Sequence, residues 1–128
     1  MIDTGKAVQF IICTDGNVPV GSTYFRDIDR EIGEAEYGIF IGEEDAAGHG
    51  LGTQVTRLML TYAFEEMKLS KIKLRFIDAN QRARRSYEKA GFAIEEDLRE
   101  TVHLEDGIHE VLFMACSNSA KQKDDKEG

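Results

Sequence analysis

No apolar stretch in this 128-residue chain approaches the roughly 20 residues that cross a bilayer, and no basic leader precedes an apolar run and a small-residue cleavage site. The expectation is a cytoplasmic protein with no membrane partner. Cysteine is scarce: Cys13 and Cys116 stand alone, without a CxxC or Cys/His ligand spacing. They read as reduced, buried thiols, not as a disulfide framework or a metal site. Positive charge is in deficit, with 16 Lys and Arg against 24 Asp and Glu and a net charge of −8. Such a balance repels a phosphate backbone, which argues against a nucleic-acid partner, and it attracts cations such as an amine. There is also no room for a second domain. At 41% apolar and 31% charged residues, the chain has the composition of one compact domain with a single core.

What is present is an alternation of strand and helix signals. Residues 7–14 (AVQFIICT) are β-branched and apolar and end at the turn Asp15-Gly16-Asn17. Residues 18–27 and 36–42 read as two further strands around a charged segment, giving an antiparallel meander. Over residues 51–67, Val55, Leu58, Met59, Tyr62, Ala63 and Met67 recur at helical spacing, opposed by Gln54, Arg57, Glu65 and Glu66. Residues 72–77 (IKLRFI) alternate apolar and basic, predicting a strand, and residues 80–90 form a charged helix stopped by Gly91. Residues 93–103 and 108–116 give a hairpin around Glu105-Asp106-Gly107 that closes the sheet. The single domain spans residues 1–116, and residues 117–128 read as a disordered polar tail.

The chemistry concentrates in Ala47, Gly48, His49, Gly50, Leu51, Gly52 and Thr53, between a predicted strand and a long helix. Free backbone N–H groups and the positive end of the helix dipole meet there, which makes an anion site. Glycines at alternate positions permit positive φ and let a phosphate approach without a Cβ in the way, so pyrophosphate is the expected guest. A Walker A loop needs a lysine before its Ser or Thr, and none precedes Thr53. A dinucleotide fingerprint needs GxGxxG after the first strand of a parallel unit, whereas this chain has GxGxG after several antiparallel strands.

The succession EYGIFIG, then GHGLGT opening a helix, then NQRARRSYEKAGF after the next strand, resembles the GNAT superfamily of N-acetyltransferases. It is most similar to the ribosomal-protein N-terminal and polyamine acetyltransferase branch. The resemblance covers about residues 7–116 and places Gly50 and Gly52 on the two small positions of the family's Arg/Gln-x-x-Gly-x-Gly/Ala motif. Ala47 stands where the family has Arg or Gln. The resemblance implies an α+β fold: a mixed, mostly antiparallel twisted sheet flanked by helices, here lacking the usual N-terminal strand and helices of the acceptor groove. Either the chain is truncated, or a partner supplies that wall, or the acceptor side is unusually open; a homodimer is a candidate assembly. The implied cosubstrate is acetyl-coenzyme A, with no metal.

Implied roles follow residue by residue. Ile39, Phe40 and Ile41 offer backbone groups to the pantetheine arm while their side chains join the core. Asn80 stands beside the pantetheine or the adenine-side arm, Tyr87 stands near the thioester sulfur, and Gly91-Phe92 closes the second motif. Arg85, with Arg82 and Arg84, reaches toward the 3′-phosphate or the adenine end.

Acetyl transfer needs a neutral amine, an oriented thioester, oxyanion stabilisation and a proton for the departing thiolate. Tyr87, protonated at neutral pH, is the expected acid, and a backbone N–H at or near Ile41 is the expected oxyanion donor. Glu36 is the expected base, with Glu31, Glu34, Glu43, Glu44 and Asp45 as nearby competitors. His49 replaces a frequent lysine of the cradle, and His103 and His109 have no carboxylate at a meaningful spacing. The expected activity is acetylation of a primary amine, whether a protein N-terminus, a polyamine or a small amine. The alternative is a non-catalytic acyl-coenzyme A-binding or regulatory module.

Overall fold

The computed structural model describes residues 6–42 and 50–118. Its elements in chain order are β1 (Lys6–Thr14), β2 (Val18–Asp29), β3 (Glu34–Ile41), α1 (Leu51–Thr61), β4 (Lys71–Ile77), α2 (Gln81–Ala90), β5 (Ala93–Leu104) and β6 (Gly107–Ser117). The strands form one six-stranded sheet in the order β1-β2-β3-β4-β6-β5. All neighbours are antiparallel except β3 and β4, as the α1 crossover between them requires. The hairpin closes the sheet with its second strand inside, since β6 pairs with β4 and leaves β5 at the edge.

Period-two alternation sorts the two faces. Phe25, Ala35, Tyr37, Ile72, Leu74, Phe76, Leu112 and Met114 point to one side and are buried. Both helices cover that side, so the core is a single layer between sheet and helices. Tyr37 reaches α1, its hydroxyl 2.9 Å from that of the fully buried Thr56. Phe76 and Phe92 each meet the Tyr87 ring of α2 edge-on, at 6.1 and 6.0 Å. The opposite face carries the alternating basic residues of β4, and each finds an acid there, two on the neighbouring β3 and one on β5 beyond β6. Lys73 pairs with Glu34 at 2.9 Å, Lys71 with Glu95 at 3.1 Å, and Arg75 with Glu36 at 3.4 Å.

Three expectations from the sequence are corrected. The long helix is α only to Thr61 and continues as one π turn over Tyr62–Glu66, with Met67 donating to the Tyr62 carbonyl. Its buried stripe is Thr56, Met59, Leu60, Ala63, Phe64 and Met67, and Leu58 is 70% exposed. Leu58 lies about 200° around the helix from Thr56 at 3.6 residues per turn, which points it away from the sheet. Cys13 is exposed, because it sits beside a register shift near the end of edge strand β1 and faces no helix. His109 does have a carboxylate partner: its Nε2 lies 2.8 Å from Asp106 Oδ1 across the β5–β6 turn, and it holds that carboxyl below its ordinary value. The tail from residue 119 onward lies outside the described residues.

Candidate active site

The parallel ladder of β3 and β4 has only three rungs, Glu34↔Lys71, Ala35↔Ile72 and Glu36↔Lys73. Ser70 fixes its start by donating from both its backbone N–H (2.7 Å) and its hydroxyl (3.1 Å) to the Gly33 carbonyl. Beyond Glu36 the strands part, although β3 continues to Ile41 and β4 to Ile77. Gly42 donates to Val20 at 2.8 Å. Because bonded pairs alternate along an antiparallel ladder, Phe40 and Gly38 bond β2, while the backbone groups of Ile39 and Ile41 point away from it into the gap.

The gap opens on the helix side into a cleft of about 460 Å³. Ile39 and Ile41 form one wall, the first turn of α1 the end, and Asn80, Arg82, Arg85, Ser86 and Tyr87 of α2 the other wall. The α1 terminus is built for an anion. Gly50 takes φ of 75° at the N-cap and brings no side-chain cap. The first intrahelical bond runs from Gln54 N–H to the Gly50 carbonyl at 3.1 Å, so the N–H groups of Leu51, Gly52 and Thr53 have no partner within the helix. A Cβ on Gly50 would meet no atom of a described residue within 4 Å. Arg82, Arg85 and Lys89 add positive charge along the α2 wall.

Two contacts fix the helices to each other. Thr53 Oγ1 lies 3.0 Å from Ser86 Oγ, and Arg57 donates to the Lys89 carbonyl at 2.9 Å. Asn80 caps α2, its Oδ1 accepting the Ala83 N–H at 3.1 Å. Its carbonyl side is therefore committed to the helix while the residue still lines the cleft.

Tyr87 lines the cleft, its ring in contact with Phe76 and Phe92, and its hydroxyl makes no hydrogen bond to a described residue. Burial, with smaller contributions from Tyr37 and Tyr24, pushes its pKa up to about 12. The phenol therefore keeps its proton at neutral pH.

The other expected residues divide. Leu51 opens α1 but its side chain does not line the cleft, and Arg84 is held by Glu88 at 3.6 Å. Ala47, Gly48 and His49 lie outside the described residues, as do Glu43, Glu44 and Asp45. Phe40 is a correction: its side chain is 68% exposed, not in the core, and its backbone bonds β2. Alternation turns it opposite to Ile39 and Ile41. Glu36 stands at the last rung, on the sheet face opposite Tyr87, with Oε2 engaged by both Arg26 and Arg75. Its Oε1 has no hydrogen bond to a described residue. Ser86 and Lys89 were not anticipated. The signal for them was the i, i+3, i+4, i+7 spacing of Arg82, Arg85, Ser86 and Lys89 on one face of α2.

Among the described residues, a splayed parallel pair thus lies beside a helix N-terminus without a side-chain cap and a tyrosine whose hydroxyl bonds none of them. Residues 2–93 match the acetyltransferase (GNAT) domain family, and the chain belongs to that family. A Bacillus subtilis (strain 168) protein, YdaF, named as a proposed ribosomal N-acetyltransferase, is 28% identical over 99 residues, which are 77% of this chain and 53% of YdaF. The chain thus spans about half the length of that relative. The fold is shared with solved structures of the spermidine N-acetyltransferase SpeG of Vibrio cholerae. A point mutant superposes with a TM-score of 0.80 at 23% identity, covering 88% of this chain and 66% of that one. A dodecameric form superposes with a TM-score of 0.82 at 24% identity, covering 90% and 67%. No described helix is long and apolar enough to cross a membrane.

Proposed function

We propose that the chain transfers an acetyl group from acetyl-coenzyme A to a primary amine. The observation that carries this reading is that Tyr87, whose hydroxyl bonds no described residue, lines a cleft running from a splayed strand pair to the N-terminus of α1, which has no side-chain cap among the described residues. The residues fit the cosubstrate. The N–H groups of Leu51, Gly52 and Thr53 would hold the pyrophosphate, with Arg82, Arg85 and Lys89 alongside. Ile39 and Ile41 would bond the pantetheine as a neighbouring strand bonds a sheet edge, with Asn80 across the cleft. When bound, acetyl-coenzyme A supplies the thioester that the amine attacks. Tyr87 keeps its proton on Oη at neutral pH and serves as the acid. Glu36, through Oε1, serves as the base at the last rung of the sheet. Candidate acceptors are a protein N-terminus, as the name of YdaF suggests, a polyamine, as that of SpeG suggests, or a small amine. The dodecameric neighbour supports self-association, a homodimer being its simplest form.

The test is thiol release from acetyl-coenzyme A with a panel of primary amines. Turnover with at least one amine is expected. Coenzyme A binding without turnover on any amine would instead identify a non-catalytic acyl-coenzyme A-binding module.

A further inference from the structure

Gly38 lies on β3 within the segment that has parted from β4, and its missing side chain would point to the face opposite the helices. Tyr24 fills that place. A Cβ added at Gly38 would overlap Cζ, Oη and Cε2 of the Tyr24 ring, so the ring lies across β3 with its hydroxyl over a strand that borders the gap. Tyr24 and Gly38 are direct cross-strand partners, and the next rung on the same face is Arg26↔Glu36. Arg26 Cζ stands 5.7 Å from the Tyr24 ring centroid while its guanidinium also holds Glu36. Phenol, guanidinium and carboxylate are therefore contiguous at the apex of the splay. Neither Tyr24 Oη nor Glu36 Oε1 hydrogen-bonds a described residue. Tyr24 also contributes to the upward shift of Tyr87 on the other face.

Resting on the acetyl-transfer reading above, we propose that Tyr24 is an acceptor-binding residue: its hydroxyl, laid over Gly38, hydrogen-bonds the incoming primary amine and orients it against Glu36 Oε1. Glycine at position 38 is part of the device, because only a residue without Cβ leaves the ring room to lie down. The guanidiniums of Arg26 and Arg75 hold the Glu36 carboxylate in place, leaving one oxygen for the amine. Tyr87 and Tyr24 thus take opposite ends of one reaction line through the sheet.

The experiment compares wild type, Tyr24→Phe and Gly38→Ala by steady-state kinetics in both substrates. Tyr24→Phe keeps the ring and is expected to raise the KM for the amine roughly tenfold, the effect of losing one hydrogen bond, with the KM for acetyl-coenzyme A within about twofold. Gly38→Ala is expected to raise the amine KM similarly, and the double variant to be no worse than either single one. An unchanged amine KM in Tyr24→Phe overturns the proposal while leaving the transferase reading intact. Should wild type bind coenzyme A yet turn over no amine, titration with n-butylamine in the presence of coenzyme A decides. Shifts of the Tyr24 ring resonances support the subsite, and their absence overturns it. Failure to bind coenzyme A at all would overturn the earlier reading instead.

Discussion

Thr53 Oγ1 and Ser86 Oγ lie 3.0 Å apart, so the first turn of α1 is tied to the middle of α2 at the point where both line the cleft. Ser86→Ala releases that tie without touching the core. Coenzyme A affinity should fall roughly three- to tenfold, as expected for one positioning hydrogen bond, with little change in Tm. Calorimetric titration with coenzyme A measures it, and unchanged affinity would show that the two hydroxyls do not set the cradle.

The two described glycines of the cradle differ. Gly50 has φ of 75° and no described atom within 4 Å of its Cβ position, whereas a Cβ at Gly52 would sit at 3.5 Å from Ser86 Oγ and 3.7 Å from Ile41 Cδ1, ordinary contacts. Gly50→Val should cost about 1–2 kcal/mol from the left-handed backbone and strongly weaken coenzyme A binding. Gly52→Ala should leave both stability and binding nearly unchanged. Equal loss of coenzyme A affinity in the two variants would contradict the cradle geometry.

Tyr87→Phe should lower kcat at least about a hundredfold, the usual contribution of a general acid, with coenzyme A affinity within roughly twofold. Stability carries a second signature. The native phenol is raised from 10.0 to about 12, so between those values the unfolded chain has shed a proton that the native chain retains. Stability is full below pH 10 and declines as pH rises toward 12. Tyr37, raised by burial, adds a decline of the same sign. Urea midpoints measured across that range should fall less steeply in Tyr87→Phe than in wild type.

Thr56 is fully buried and its hydroxyl meets Tyr37 Oη at 2.9 Å, in a core that leaves no buried side-chain polar atom without a partner among the described residues. Thr56→Val keeps the shape and removes the hydrogen bond. A loss of about 1–2 kcal/mol is expected by urea denaturation. An unchanged midpoint would mean that Tyr37 transfers its bond wholly to Thr23.

Much of the frame was legible because it follows from period alone. The alternation IKLRFI placed Ile72, Leu74 and Phe76 in the core and Lys73 and Arg75 on the other face. Asn80 and Gly91 bracketed α2 because each performs the capping chemistry its residue type favours. What escaped depended on partners distant in sequence. The phase of α1 is set by Tyr37 and the π turn, so Thr56 went inward and Leu58 outward. The pairing of Arg26, Glu36 and Arg75 draws on three strands, which a local reading of Glu36 as a base could not supply. Ser86 gained meaning only when α1 brought Thr53 to it.

The brevity of the β3–β4 ladder reaches beyond the chemistry. Among the described residues, three rungs and the bonds of Ser70 and Lys71 to the Gly33 carbonyl stitch β1, β2 and β3 to β4, β6 and β5, so the sheet is two leaves of a book with a short spine. Amide exchange should be slowest in the middle of each leaf and fast along the inner margins of Ile39 and Ile41. A molecule laid between the leaves, bonding those margins, would act as additional spine. The cosubstrate would then count among the elements that hold the protein together as well as what it consumes.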